Sequence, residues 1–169
     1  YVEDDDEATT LIISLYDSVI ACKLELMYTI YNDYPVITRS AKIINQGFQT
    51  IKLNAMMSLA LDLPDSNYTM LELTGAWARE RYIKERKLQH GIQAVYSLRG
   101  ASSHNYNPFL ALKRNNCDEF SGEVLGFSFV YSGNFLAQVE VDTYDTTRVL
   151  MGIHPHCFSW NLTNTESFQ

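Results

Sequence analysis

Two stretches in the middle of the chain gather aromatic, cationic and amide side chains: LTGAWARERY, residues 73–82, and SLRGASSHNYNPF, residues 97–109. Trp77 stands between a Gly-Ala turn signal and a run of alternating charge. Such a grouping suits a sugar: an indole face covers the C–H side of a pyranose, and guanidinium forks and amides answer its hydroxyls. The plainer account is a half-buried Trp packed over its own sheet, with Arg79 and Glu80 paired beside it. On residue types alone the plainer account is favoured. The second stretch is a long polar loop between strand-like segments, a place where binding groups often sit.

Other chemistries find less support. Gly100-Ala101-Ser102-Ser103-His104 sets serines beside a histidine but lacks the G-x-S-x-G elbow. In an extended segment Ser103 and His104 would also point to opposite faces. His154, His156 and Cys157 could be metal donors, with Cys117 or Cys22 as a fourth. A closed zinc site usually takes two spaced ligand pairs, however, and only one is visible. Glycoside chemistry needs two carboxyl groups about 5–9 Å apart. The acidic residues are plentiful, but their spacing selects no pair. The eight glycines are scattered as turn residues and form no phosphate loop. No catalytic residue, metal site or cofactor is therefore expected.

The chain has 169 residues, 46% of them apolar, enough for one domain with a core. Its net charge of −7 argues against nucleic acid, which needs a basic face. Five of the thirteen Lys and Arg lie between Arg79 and Lys87, interrupted by Glu80 and Glu85, as in a solvated, salt-bridged strand or hairpin. No apolar run is long enough to span a bilayer as a helix, and no basic-then-apolar leader opens the chain. The opening YVEDDDEATT reads as a solvated approach to a strand. Cys22, Cys117 and Cys157 do not make a disulfide framework, and reduced thiols in a cytoplasmic protein are expected. Asn67-Tyr68-Thr69 and Asn161-Leu162-Thr163 match the glycosylation sequon, a pattern short enough to arise by chance.

The elements that must position these side chains are strands. Apolar residues alternate with polar ones at Ile20–Ile30, at Ile51–Leu63 and at Asn134–Asp142, the pattern of strands buried on one face. Turn signals recur at Asn45-Gln46-Gly47, Pro64–Asn67, Asn115–Asp118 and Ser132-Gly133-Asn134. A strand over Glu123–Tyr131 is expected to pair with Asn134–Asp142 as a hairpin through Ser132-Gly133. Ala76–Leu88 contains good helix formers but is read as a strand or extended hairpin. Ten to twelve short strands predict an all-β fold of two packed antiparallel sheets.

Several longer motifs resemble one family. They are GAWARER at Gly75–Arg81, RGASSH at Arg99–His104 with NPF at Asn107–Phe109, and GEVLGFSFVYSGNFLAQVEVD at Gly122–Asp142. VITRSAKI at Val36–Ile43 and LDLPDSNY at Leu61–Tyr68 add to them. Together they resemble the bacterial α-galactosidases of glycoside hydrolase family 36, over about Ala8–Gln169 and in the same order. The resemblance implies that residues 1–169 are part of an N-terminal β-supersandwich, incomplete at both ends. The two catalytic aspartates would lie in a (β/α)₈ barrel absent from this chain. It further implies retaining hydrolysis of terminal α-linked galactose from oligosaccharides of the melibiose and raffinose type, with no cofactor. Homo-tetramers are implied too, with N-terminal domains helping to build active sites across subunits. The Trp of the GAW motif lines the galactose pocket in the family, and it matches Trp77. An acidic substrate contact of the family falls upstream of Tyr1. His154-Pro155-His156-Cys157 departs from the family's usual Asn-Pro-Phe-Asp, which makes a zinc site there less expected still.

Overall fold

The computed structural model describes residues 2–4 and 7–169, with side chains from Glu7 onward. The acidic opening at residues 3–6 falls outside the described side chains. All regular structure among the described residues is strand. In chain order the strands are β1 Val2–Asp4, β2 Ala8–Asp17, β3 Cys22–Tyr31, β4 Ile37–Asn45, β5 Ile51–Leu53, β6 Met57–Leu63, β7 Tyr68–Ala76 and β8 Arg79–Lys87. They continue as β9 Gly91–Ser97, β10 Tyr106–Arg114, β11 Val124–Ser128, β12 Phe135–Val141, β13 Thr147–Ile153, β14 Trp160–Leu162 and β15 Ser167–Phe168. The surplus over the expected ten to twelve comes from β1, β5, β14 and β15, each of two or three residues. Segments that short carry no readable alternation.

The chain divides into two compact units, Leu59–Cys157 and Tyr1–Ser58 with Phe158–Gln169. In the first, a sheet of order β11-β10-β7-β8 and one of order β6-β13-β12-β9 share a core. Tyr68, Met70, Leu110 and Leu112 come from one sheet; Val95, Phe135, Val139 and Val149 come from the other. β12 is the clearest case of sequence dictating burial: Phe135, Ala137, Val139 and Val141 are buried, while every intervening residue is half-covered. Arg114 fixes one end of this unit, donating to Asp65 at 2.7 Å and Glu123 at 3.2 Å above the Tyr68 ring. The guanidinium beside Asp65 holds its carboxyl below the usual carboxylate range.

The second unit is a sheet of order β1-β2-β3-β4-β15 and a ribbon of β14 with β5. Asn45, fully buried, ties it together. Its Nδ2 donates to the carbonyls of Gln49 and Leu162 at 2.8 and 2.9 Å, and its Oδ1 accepts from Gly47 N–H at 2.9 Å.

Two expectations fail here. β11 and β12 do not form a hairpin: β11 pairs with β10, while β12 lies between β13 and β9 in the other sheet. A two-residue hairpin turn needs positive φ at its first central residue, and neither Ser132 nor Gly133 has it. Gly133 serves a steric purpose instead, since a Cβ there would meet the Tyr131 ring at 2.6 Å. The run Ile51–Leu63 is likewise not one strand. It breaks at Asn54–Met56, with β5 in the ribbon and β6 in the sheet with β13. The expected strand–hairpin at Ala76–Leu88 is present as β7–β8, with β8 exposed along its whole length.

Candidate functional site

The two stretches singled out in the sequence meet, because β7 has β8 on one side and β10 on the other. Trp77 and Ala78 form the two-residue turn between β7 and β8, closed by the pairing of Ala76 with Arg79. Ala78 takes the left-handed conformation at φ 64°, and its N–H donates to Glu80 Oε1 at 2.8 Å. Glu80 is thus engaged by the turn rather than by Arg79. The turn also explains Gly75. A Cβ there would press on the backbone carbonyl of Arg79 and the Cα of Glu80, so any larger residue would force the strands apart.

Asn105 fastens the loop before β10 to this turn. Gly75 N–H donates to the Asn105 carbonyl at 3.1 Å, and Asn105 Nδ2 donates to the Gly75 carbonyl at 3.1 Å. Arg99 Nη1 then donates to Asn105 Oδ1 at 2.7 Å. The Arg99–Asn105 stretch is therefore the brace of the Trp77 turn. Ser103 belongs to the same brace, its Oγ accepting from Asn105 N–H at 3.3 Å, while His104 is exposed. A Ser–His nucleophile is not assembled.

Trp77 itself is 85% exposed, not half-buried as its plainer reading had it. Its ring makes no aromatic or cation–π contact among the described residues. A single exposed apolar side chain is ordinary on a protein surface, and Phe48 and Phe120 are as exposed; what sets Trp77 apart is the braced turn that carries it. Beside the turn lies a cleft of about 450 Å³, lined by Gly75, Arg79 and Asn105 together with Tyr82 and Tyr106. Sequence reasoning found Trp77 but missed the two tyrosines, which come together only through the strand order β8-β7-β10.

The His154–Cys157 segment is a structural turn. His156 N–H donates to His154 Nδ1 at 3.0 Å, and the His154 ring packs edge-on against Tyr96. Burial, with a contribution from His156, lowers the His154 pKa, which favours the neutral imidazole. Cys157 is exposed, and Cys22 is buried in the other unit with its thiol pushed up by burial. No group of three or more metal-ligating side chains converges among the described residues.

Comparison with known proteins gives a consistent result. Residues 1–163 match the model of the glycosyl hydrolase family 36 N-terminal domain. The chain is 53% identical over all 169 residues to alpha-galactosidase AgaA of Geobacillus stearothermophilus. It is 43% identical over the same span to alpha-galactosidase 1 of Pediococcus pentosaceus. In each case it spans only 23% of the relative's length. A crystal structure of an AgaA variant in complex with stachyose superposes on 99% of this chain with a TM-score of 0.95, again covering 23% of that protein. The galactosidase domain of an alpha-galactosidase–sucrose kinase, at 37% identity, gives 0.93 over 98% of the chain.

Proposed function

The chain belongs to glycosyl hydrolase family 36 as its N-terminal domain, and we propose that it is the non-catalytic portion of an α-galactosidase. In this reading the whole protein removes terminal α-linked galactose from oligosaccharides of the melibiose and raffinose type. Retention would follow from a covalent glycosyl-enzyme formed on a pair of carboxylates. In this reading both carboxylates lie in a catalytic barrel outside residues 1–169, which agrees with the chain spanning 23% of the length of AgaA. Crystal structures of AgaA carry stachyose and raffinose, which supports the substrate class.

The contribution of this domain is to hold the substrate, and the carrying observation is Trp77. Its indole stands 85% exposed on a turn that Gly75, Asn105 and Arg99 make rigid. A rigid aromatic ring offered in this way covers a pyranose face at little cost in conformational entropy. In the enzyme that contains this chain, Trp77→Ala should lower kcat/KM on melibiose by about 1–3 kcal/mol, the scale of a lost aromatic platform. Kinetics matching the unmutated enzyme would rule the role out.

The same exposure supports one other reading, in which Trp77 packs at a contact between subunits of a homo-tetramer. Sedimentation separates the two. A substrate contact leaves Trp77→Ala assembled with poor turnover, whereas a packing contact makes it dissociate.

A further inference from the structure

Strand parity exposes a second feature of the cleft. On β7 the residues Met70, Glu72 and Thr74 share one face. Across them in register stand Arg86, Lys84 and Tyr82 on β8, and Leu112, Leu110 and Tyr106 on β10. Met70, Leu110 and Leu112 are fully buried in the core of the sandwich. One sheet face thus begins as apolar core and ends as a row of Tyr82, Thr74 and Tyr106. Polar residues at core-facing parity break the alternation that builds the rest of the fold, and such breaks concentrate at functional sites.

Part of this polar row is accounted for by structure. Arg86 donates to Glu72 at 2.8 Å and to the Ala94 carbonyl at 3.3 Å, closing the side of the sandwich. Arg79, Lys84 and the hydroxyls of Tyr82 and Tyr106 have no hydrogen-bond or ion-pair partner among the described residues. All four line the cleft. Tyr82 is 60% and Tyr106 44% exposed, so both rings are accessible. Adjacent strands lie about 4.8 Å apart, which sets the two tyrosines roughly 10 Å apart across the small Thr74. The register is interrupted on both sides of Thr74, between Tyr106 and Leu110 and between Thr74 and Ala76, and these irregularities lie where the cleft opens.

We propose that the cleft between Tyr82 and Tyr106 is a second sugar subsite, taking a neutral sugar unit that lies beyond the terminal disaccharide of the substrate, a unit that raffinose and stachyose carry and melibiose lacks. The proposal rests on the α-galactosidase reading above. A neutral sugar is the ligand class that the α-galactosidase reading supplies, and the displacement arm of the test below separates it from an anion held by Arg79 and Lys84. The tyrosine faces then supply apolar contact, and Lys84 and Arg79 donate to hydroxyls.

The test is chain-length dependence in the enzyme that contains this chain. Tyr82→Ala and Tyr106→Ala should each lower kcat/KM on raffinose and stachyose about five- to tenfold, with less than about a twofold change on melibiose. Lys84→Ala, which leaves both rings in place, should show a smaller loss of the same form. Equal losses on all three sugars, or no loss on any, would overturn the subsite. Trp77→Ala on the same panel reads the other claim, since it should reduce all three alike. A silent Trp77→Ala with a length-dependent Tyr82→Ala would leave the subsite standing and remove the role of Trp77. If no galactoside is turned over, calorimetric titration with stachyose decides. Binding weakened by Tyr82→Ala supports the subsite; binding unchanged by it, no binding, or displacement by inorganic phosphate overturns it.

Discussion

In the unit Leu59–Cys157, apolar side chains from two four-stranded sheets bury one another completely: Met70, Leu110, Leu112, Phe135, Val139 and Val149 are all inaccessible. The unit Tyr1–Ser58 with Phe158–Gln169 is organised differently. Among the described residues its fully buried side chains are Leu162 and the polar Asn45, and along β2 Leu11, Ile13 and Leu15 remain 39–50% exposed. One unit is held by an apolar core, the other by a hydrogen-bonded clasp beneath a partly uncovered sheet. Stability and surface are therefore divided between them. The packed unit can afford a braced, solvent-facing Trp77 and polar residues at the mouth of its core. The clasped unit leaves apolar strand surface uncovered.

The largest test of this contrast is Phe135→Ala. The ring lies wholly in the core at the start of a central strand, and its loss leaves a cavity that the flanking strands cannot close. A cost of about 3–5 kcal/mol is expected. Residue-resolved hydrogen exchange should show it as lost protection in β9, β12 and β13 with β2–β4 little changed. Equal loss in both units would mean that they unfold as one.

Asn45→Ala is the corresponding test of the clasp. Removing the amide orphans the Gln49 and Leu162 carbonyls and the Gly47 N–H together. Unsatisfied buried groups make this cost about 1–3 kcal/mol. Exchange should accelerate in β4, β5, β14 and β15 and leave β12 protected. An unchanged β5–β14 ribbon would show that its backbone pairing, not Asn45, holds it.

How far the sequence revealed this arrangement follows from which signals are local. Alternation is local, so β12 could be read directly, and the β7–β8 hairpin follows from Gly75-Ala76 before a charged run. Pairing is not local. Nothing within Glu123–Asp142 tells that β11 and β12 belong to different sheets; the absence of positive φ at Ser132 and Gly133 appears only once the chain is folded. Similarly, Ile51–Leu63 keeps its alternation through a break between two sheets, because both pieces need one apolar face. At the candidate site, Trp77 was legible as a residue type. Its bracing by Asn105 and the Tyr82–Thr74–Tyr106 row depend on which strands flank β7. One available signal was the polar parity of Tyr82, Lys84 and Arg86, which marks β8 as an exposed strand with a polar face on the side of the cleft.

The smallest effect tests the uncovered side of the contrast. Ile13 on β2 faces Leu26 on β3, with Leu11 opposite Tyr28 and Leu15 opposite Leu24, so one face of the sheet carries an apolar row. Ile13 is 39% exposed, and much of its surface gains nothing from burial. Ile13→Thr keeps the β-branched shape that suits a strand while exchanging a methylene-bearing arm for a hydroxyl. At an uncovered position the change in stability should stay within about 0.5 kcal/mol, read as the denaturant midpoint of the unit. A loss of about 2 kcal/mol or more would mean that Ile13 is covered in solution, because only a desolvated side chain pays that much for a buried hydroxyl. The contrast would then collapse: β2 would belong to a second apolar core, closed by surface outside the described strands. A silent Ile13→Thr, beside a large Phe135→Ala effect, confines the apolar core to the unit that also carries Trp77.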